Sequence, residues 1–257
     1  MSGIYTLQVS GLKKYFGGVK ALDGVSFEVK SGECVALIGP NGAGKSTCFA
    51  ALAGQHAPDA GRVAWGSTQE AAGLQDITGL SAGRLNALGI GRTFQVAQVF
   101  EALTVLQNVQ LPAHYSRWIQ ALLPLENQGK QVADVLLTRL GLQGVAHTLA
   151  LALPYGLKKR LELGIALASG PRLLLLDEPA AGLAQTERQD LMRLIKSLTR
   201  IGDNMAVLYT EHNMDAVFGV ADRVLVLIDG QLAAQGTPAE IAVHEIVQKR
   251  YLGSRHA

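Results

Sequence analysis

Eight residues in this 257-residue chain, Gly39-Pro40-Asn41-Gly42-Ala43-Gly44-Lys45-Ser46, fit the pattern G-x-x-x-x-G-K-[ST], and Thr47 follows them. Glycines at such spacing let the backbone wrap a polyphosphate with successive N–H groups turned inward. A lysine then reaches the terminal phosphates, and a serine hydroxyl is placed to ligate Mg²⁺. Leu173-Leu174-Leu175-Leu176-Asp177-Glu178 supplies the complementary chemistry, an apolar run ending in two carboxylates. The first, Asp177, is placed to hold Mg²⁺, and the second, Glu178, to act as base toward a water in line with the γ-phosphate.

Elements must carry these groups. Cys34 to Ile38 is a short unbroken apolar run, and Leu173 to Leu176, Ala206 to Tyr209 and Val224 to Ile228 share its texture. Runs of this kind suit strands buried on both faces of a parallel sheet, and helical patterns such as Glu187 to Arg200 lie between them, so an α/β core is expected. The first 35 residues instead alternate polar and apolar positions, as in Val25-Ser26-Phe27-Glu28-Val29-Lys30, which reads as antiparallel strand. Between residues 97 and 168 the apolar residues fall at helical spacing (Val132, Val135, Leu136, Leu140), with turns at Pro112, Pro124 and Gly141. The expected organisation is one domain: an antiparallel β lobe over 1–35, a nucleotide-binding core over 36–96 and 169–257, and an inserted helical lobe over 97–168.

Composition narrows the function. With 23 basic and 21 acidic residues the net charge is +2, which gives no general footprint for nucleic acid. No apolar window reaches the ~18 residues of a spanning helix. The first residues lack a signal-peptide pattern, and Cys34 and Cys48 suggest no disulfide framework, so a cytoplasmic location is expected. The histidines other than His212 show no metal-ligand spacing. Cys48 reads as a small buried residue whose thiol could expose the site to alkylation.

The order of motifs resembles the ATP-binding subunits of ABC transporters along essentially the whole chain. That resemblance implies a P-loop NTPase (RecA-like) parallel-sheet core with an N-terminal antiparallel β subdomain and an inserted α-helical subdomain, using ATP and Mg²⁺. It assigns Gln95, in Gly91-Arg92-Thr93-Phe94-Gln95, to Mg²⁺ and the attacking water. His212, in Tyr209-Thr210-Glu211-His212-Asn213, would bond the γ-phosphate and position Glu178, and Phe16 would stack on adenine. Leu153-Pro154-Tyr155-Gly156-Leu157 stands where the family's signature L-S-G-G-Q belongs, so that Pro154, Tyr155 and Gly156 would close over nucleotide held by a second subunit. Pro154 brings neither hydroxyl nor N–H, and a hydrogen bond to a charged group of about 1.5–3 kcal/mol is thereby absent. Gly156 and the helix end are left to clamp.

The Pro-Tyr-Gly signature, Asp177-Glu178-Pro179-Ala180-Ala181-Gly182-Leu183 and Tyr251-Leu252-Gly253 look like the ATPase subunits of branched-chain amino acid uptake systems, although Ala184 and Asn213 depart from that subfamily. The implied partners are a second ATPase subunit, same chain or paralogue, in a head-to-tail dimer; two integral membrane permease subunits; and, indirectly, a substrate-binding protein. Nucleic acid is not expected. The place of work would be the inner face of the cell membrane, as a peripheral subunit, with Val96, Val99, Phe100 and Leu103 in a groove for the permease. An alternative is a soluble non-transport ABC ATPase acting on nucleic acid or ribosomes, but only 57 residues separate Gln95 from Leu153, room for a compact lobe and little else. A P-loop kinase or GTPase is opposed by the absence of an Asn-Lys-x-Asp guanine reader and by the Asp177-Glu178 pair.

Overall fold

The computed structural model describes residues 5–67, 73–93, 98–115, 130–200 and 204–253. Two sheets organise the chain. Strands β1 (Tyr5–Phe16) and β2 (Val19–Lys30) form a long hairpin, extended on the β1 side by β4 (Ala60–Ser67) and β5 (Leu74–Asp76), all antiparallel. The sheet therefore recruits strands from a stretch beyond residue 35. Their inner residues, among them Leu7, Val9, Leu22, Val25 and Val63, join a core with one face of the second sheet, while the outer residues stay polar.

That second sheet runs in the order β10 (Gln231–Gly236), β9 (Arg223–Ile228), β3 (Cys34–Ile38), β8 (Ala206–Thr210), β7 (Leu173–Leu176) and β6 (Ile90–Arg92). β3 pairs in parallel with both β8 and β9, and β7 with β6 and β8; β10 closes the edge antiparallel through a turn at Asp229-Gly230. The four apolar runs of the sequence are these central strands, and every residue of β3, β7 and β8 is buried because both faces are covered. Side chains alternate between two cores: Val35 and Leu37 face the antiparallel sheet, while Cys34, Ala36 and Ile38 face the helices.

Helix α1 (Lys45–Leu52) follows β3, α2 (Ala82–Ala87) precedes β6, and α6 (Gln185–Arg200) covers the sheet through Leu191, Met192, Ile195 and Leu198. α3 (Val105–Tyr115), α4 (Lys130–Leu140) and α5 (Tyr155–Leu167) pack on one another as the helical lobe. In α4 the buried stripe is Ala133, Leu136, Leu137 and Leu140; Val132 and Val135, counted with the apolar spacing in the sequence, face outward. Short helices α7 (Met214–Phe218), α8 (Pro238–Ala242) and α9 (Glu245–Val247) complete the C-terminal side. Among the described residues no helix is long and apolar enough to cross a membrane.

Candidate nucleotide site

The loop between β3 and α1 is shaped by its glycines. Gly39, Gly42 and Gly44 all have positive φ, at 152°, 81° and 99°. A Cβ on Gly39 would lie 2.1 Å from the Leu227 carbonyl oxygen, and one on Gly44 would lie 2.3 Å from that of Ala21, so side chains are excluded at both by backbone. Lys45 is buried and its Nζ donates to the carbonyls of Gly39, at 2.8 Å, and Pro40, at 3.0 Å, holding the loop open from within. Gly44 caps α1 in the left-handed conformation without a side-chain hydrogen bond, and no acidic residue sits in the first turn. The N-terminal amides of α1 and its partial positive charge are thereby presented to a pocket of about 550 Å³.

The floor and walls of that pocket include Asn41, Gly42, Ala43, Gly44, Lys45, Ser46 and Thr47 with Lys20, Glu178, His212 and Asp229. Pro40 and Gly39 underlie it through their carbonyls. Glu178 and His212 come from the ends of different strands, β7 and β8, yet His212 Nε2 stands 2.6 Å from Glu178 Oε1, with the imidazole N–H donating to the carboxylate. Glu178 has φ +47°, a left-handed backbone for a residue with a Cβ, and strain of this kind persists only when neighbours hold it. The holder is Thr210: its Oγ1 accepts from the Glu178 amide at 2.9 Å and donates to Asp177 Oδ1 at 2.7 Å. Sequence reasoning did not single out Thr210, and a buried hydroxyl at the end of an apolar strand was the available signal.

Ser46 is exposed on the pocket, and Asp177 is half-buried next to Glu178 without lining that pocket. A hydroxyl and a carboxylate are the hard oxygen donors that Mg²⁺ takes, and no cluster of three His, Cys, Asp or Glu able to hold a metal exists among the described residues. Such a donor set fits a cation held jointly with substrate phosphates. Gln95 and Val96 lie outside the described residues. Nearby, Arg92 donates to the Ala53 carbonyl at 3.5 Å, and burial draws its guanidinium below the ordinary value against the opposing pull of Asp177.

Phe16 is 46 % exposed at the tip of the β1–β2 hairpin, whose returning strand puts Lys20 and Ala21 on the pocket. Its ring meets His56 edge-on at 6.1 Å, with Lys14 Nζ 5.5 Å from its centroid. Pro154, Tyr155 and Gly156 are not in this pocket. Pro154 is the N-cap of α5, with no side-chain hydrogen bond; Tyr155 is 43 % exposed and covers Gly182, and Gly156 abuts the Glu187 carboxylate. Cys48 is fully buried, in keeping with its reading as a small buried residue, and that burial pushes its thiol up to about 12, which opposes alkylation in the folded chain.

A larger cavity, about 1000 Å³, opens between the helical lobe and the core, touching Phe100, Pro112, Ile165, Leu88 and Arg172 but none of the phosphate loop. Phe100, half-exposed, is on it; Val99 packs against the core, and Leu103 does not line it.

A parallel sheet whose central strand delivers a phosphate loop, with a carboxylate and a histidine from the next two strands, defines a P-loop nucleotide hydrolase. Residues 22–181 match the ABC transporter family. Across 96 % of this chain and 97 % of theirs, it is 36 % identical to the high-affinity branched-chain amino acid transport ATP-binding proteins LivG of Salmonella typhimurium and BraF of Pseudomonas aeruginosa. It is 34 % identical to the lipopolysaccharide export system ATP-binding protein LptB of Acidithiobacillus ferridurans, over 97 % of each chain. The solved structure of MJ1267, an ATP-binding cassette of an ABC transporter, superposes with a TM-score of 0.82 at 31 % identity over 98 % of this chain and 99 % of that one. The chain belongs to the ABC transporter family and is an ATPase of its ATP-binding cassette type.

Proposed function

We propose that this chain powers an importer of branched-chain or related amino acids, binding ATP in the pocket of Lys45 and hydrolysing it with Glu178 and His212. The similarity to LivG and BraF over nearly the full length carries the cargo assignment. In the hydrolytic step the loop amides, Lys45 and the α1 terminus hold the phosphates, and Phe16 stacks on adenine. Glu178 accepts a proton from the attacking water. His212, already on the Glu178 carboxylate, fixes its direction and reaches the γ-phosphate. Ser46, Asp177 and Gln95 would hold Mg²⁺, which supplies charge neutralisation on the phosphate oxygens.

Pro154, Tyr155 and Gly156 stand outside the pocket of their own chain, and the first-turn amides of α5 lack a side-chain cap. A head-to-tail pair of chains, in which these residues close over the partner's nucleotide, gives them a ligand. One structural neighbour, the cassette MJ0796 with ADP and phosphate, is described as dimeric. We assign the cavity between lobe and core, with Phe100 on its wall, to a membrane permease subunit, one for each chain of the pair and so two in all; the chain would then work at the inner face of the membrane, linked indirectly to a substrate-binding protein.

The test is reconstitution of the chain with the membrane subunits and binding protein of a branched-chain amino acid importer. Leucine, isoleucine or valine with the binding protein should stimulate ATP hydrolysis several-fold. Hydrolysis that ignores amino acids and responds to lipopolysaccharide would replace this cargo with that of the LptB-like relative, and failure to assemble with any membrane subunit would leave the soluble ATPase.

A further inference from the structure

We propose that Glu211 is a positioning residue whose buried carboxylate ties the loop after β7 to the loop after β8 and so sets the approach of His212 to Glu178. Glu211 is the first residue past β8, yet its side chain turns inward and is 4 % exposed. Oε1 accepts the Ala180 N–H at 3.2 Å; Oε2 accepts the His212 N–H at 3.1 Å and faces the Asn213 N–H at 3.5 Å. The three donors belong to two loops that are 31 or more residues apart in sequence and that carry the two halves of the His212–Glu178 contact.

A carboxylate is costly there. Burial pushes the Glu211 carboxyl above its ordinary range, against the backbone amides and, more weakly, Arg188. What the acid offers in return is acceptor oxygens on both sides. A glutamine has one acceptor, and its NH₂ would meet an N–H from one loop or the other. An apolar side chain would leave the amides of Ala180 and His212 without that acceptor. The acid therefore does something specific: it receives from both loops at once. This inference rests on the reading of Glu178 and His212 as the hydrolytic pair.

The experiment compares Glu211→Gln with the wild-type chain in single-turnover and steady-state ATP hydrolysis. The rate constant should fall at least tenfold while the ATP affinity stays within twofold, and Glu211→Gln added to His212→Ala should cost nothing further, because the two act through one contact. An unchanged rate, a loss confined to affinity, or an equal loss in both backgrounds would overturn the proposal. Amide hydrogen exchange in the unmodified chain is a second measurement that needs no variant: the Ala180 and His212 amides should be protected by at least a hundredfold, and free exchange at either would overturn it as well. Full hydrolysis by His212→Ala and Glu178→Gln alone would instead strike the hydrolytic assignment on which the inference rests.

Discussion

The N-termini of α1, behind Gly44, and α5, behind Pro154, have no side chain capping them, yet they are built in opposite ways. The first sits at the bottom of a concavity. Three glycines with positive φ, a buried lysine and a packed β9–β10 turn, whose Gly230 amide donates to the Ala43 carbonyl, hold its amides in one arrangement. The second lies outside that pocket, with Pro154 and Tyr155 exposed, and its cap offers neither hydroxyl nor N–H. Structural helix ends are treated differently: Asn213 accepts from the Ala216 amide on α7, and Thr237 forms a reciprocal capping box with Glu240 on α8. A bare helix end is not by itself a binding site, since α2 behind Ser81 also lacks a side-chain cap. The α1 end is enclosed by its own chain, whereas the α5 end, on the head-to-tail arrangement proposed above, would be completed only by a second chain.

The largest effect should come from the hydrolytic side of the concave half. Glu178→Gln is expected to lower the hydrolysis rate by about 10²- to 10⁴-fold, the usual contribution of a general base, and to leave nucleotide binding intact so that an ATP-bound dimer accumulates; gel filtration with ATP reads the dimer and phosphate release reads the rate. Near wild-type turnover would remove Glu178 from the chemistry. Lys45→Ala should weaken equilibrium ATP binding by roughly 10- to 100-fold, as expected for loss of a charge-assisted contact of about 1.5–3 kcal/mol, whereas an unchanged affinity would break the contrast between the two helix ends.

Phe16→Ala tests the hairpin's share of the same half. Loss of a base–aromatic stack of about 1–3 kcal/mol should weaken ATP and ADP alike while leaving inorganic triphosphate unaffected, which titration calorimetry separates. Pro154→Ser sharpens the comparison from the convex side. A restored hydroxyl should tighten ATP-dependent dimerisation by up to about tenfold, within the range of one hydrogen bond to a charged group, and no change would mean that Gly156 and the α5 terminus already supply the closure. The smallest effect is at Cys48: with its thiol pushed up to about 12 by burial, iodoacetamide at pH 8 should leave it unmodified in the native chain and label it only after unfolding, by mass spectrometry.

Much of this site was legible because its parts are local. A strand, a glycine loop and a helix follow one another from Cys34 to Leu52, so their mutual geometry is set by a few dihedrals and can be read from residue types. Asp177 and Glu178 were legible for the same reason, standing at the end of an unmistakable buried strand. Thr210 and Glu211 were not, although they hold Asp177, Glu178 and the Ala180 amide. Their roles depend on two loops meeting from separate strands, and no periodicity in either loop reports the other. The α4 stripe was misjudged by a residue or two because Val132 and Val135 are as apolar as the residues that are buried. The antiparallel lobe does begin with the strands of the first 35 residues but was bounded too narrowly, since Ala60–Ser67 joins it only by pairing with β1 across about 50 residues.

By itself the sequence determined the groups available to this protein: a glycine-rich loop with a lysine, two adjacent carboxylates at a strand end, a histidine and an aromatic, on elements whose hydrophobic period is written in their residues. Tertiary structure decided the pairings. It put His212 on Glu178, gave Thr210 and Glu211 their tasks, left Phe16 exposed on the hairpin whose returning strand lines the pocket and kept Pro154, Tyr155 and Gly156 out of it. The physical reason is range. Backbone conformation and side-chain periodicity are short-range properties of the chain, whereas the distance between two strand ends is fixed by strand order in the sheet, through hydrogen bonds and packing between residues far apart in sequence.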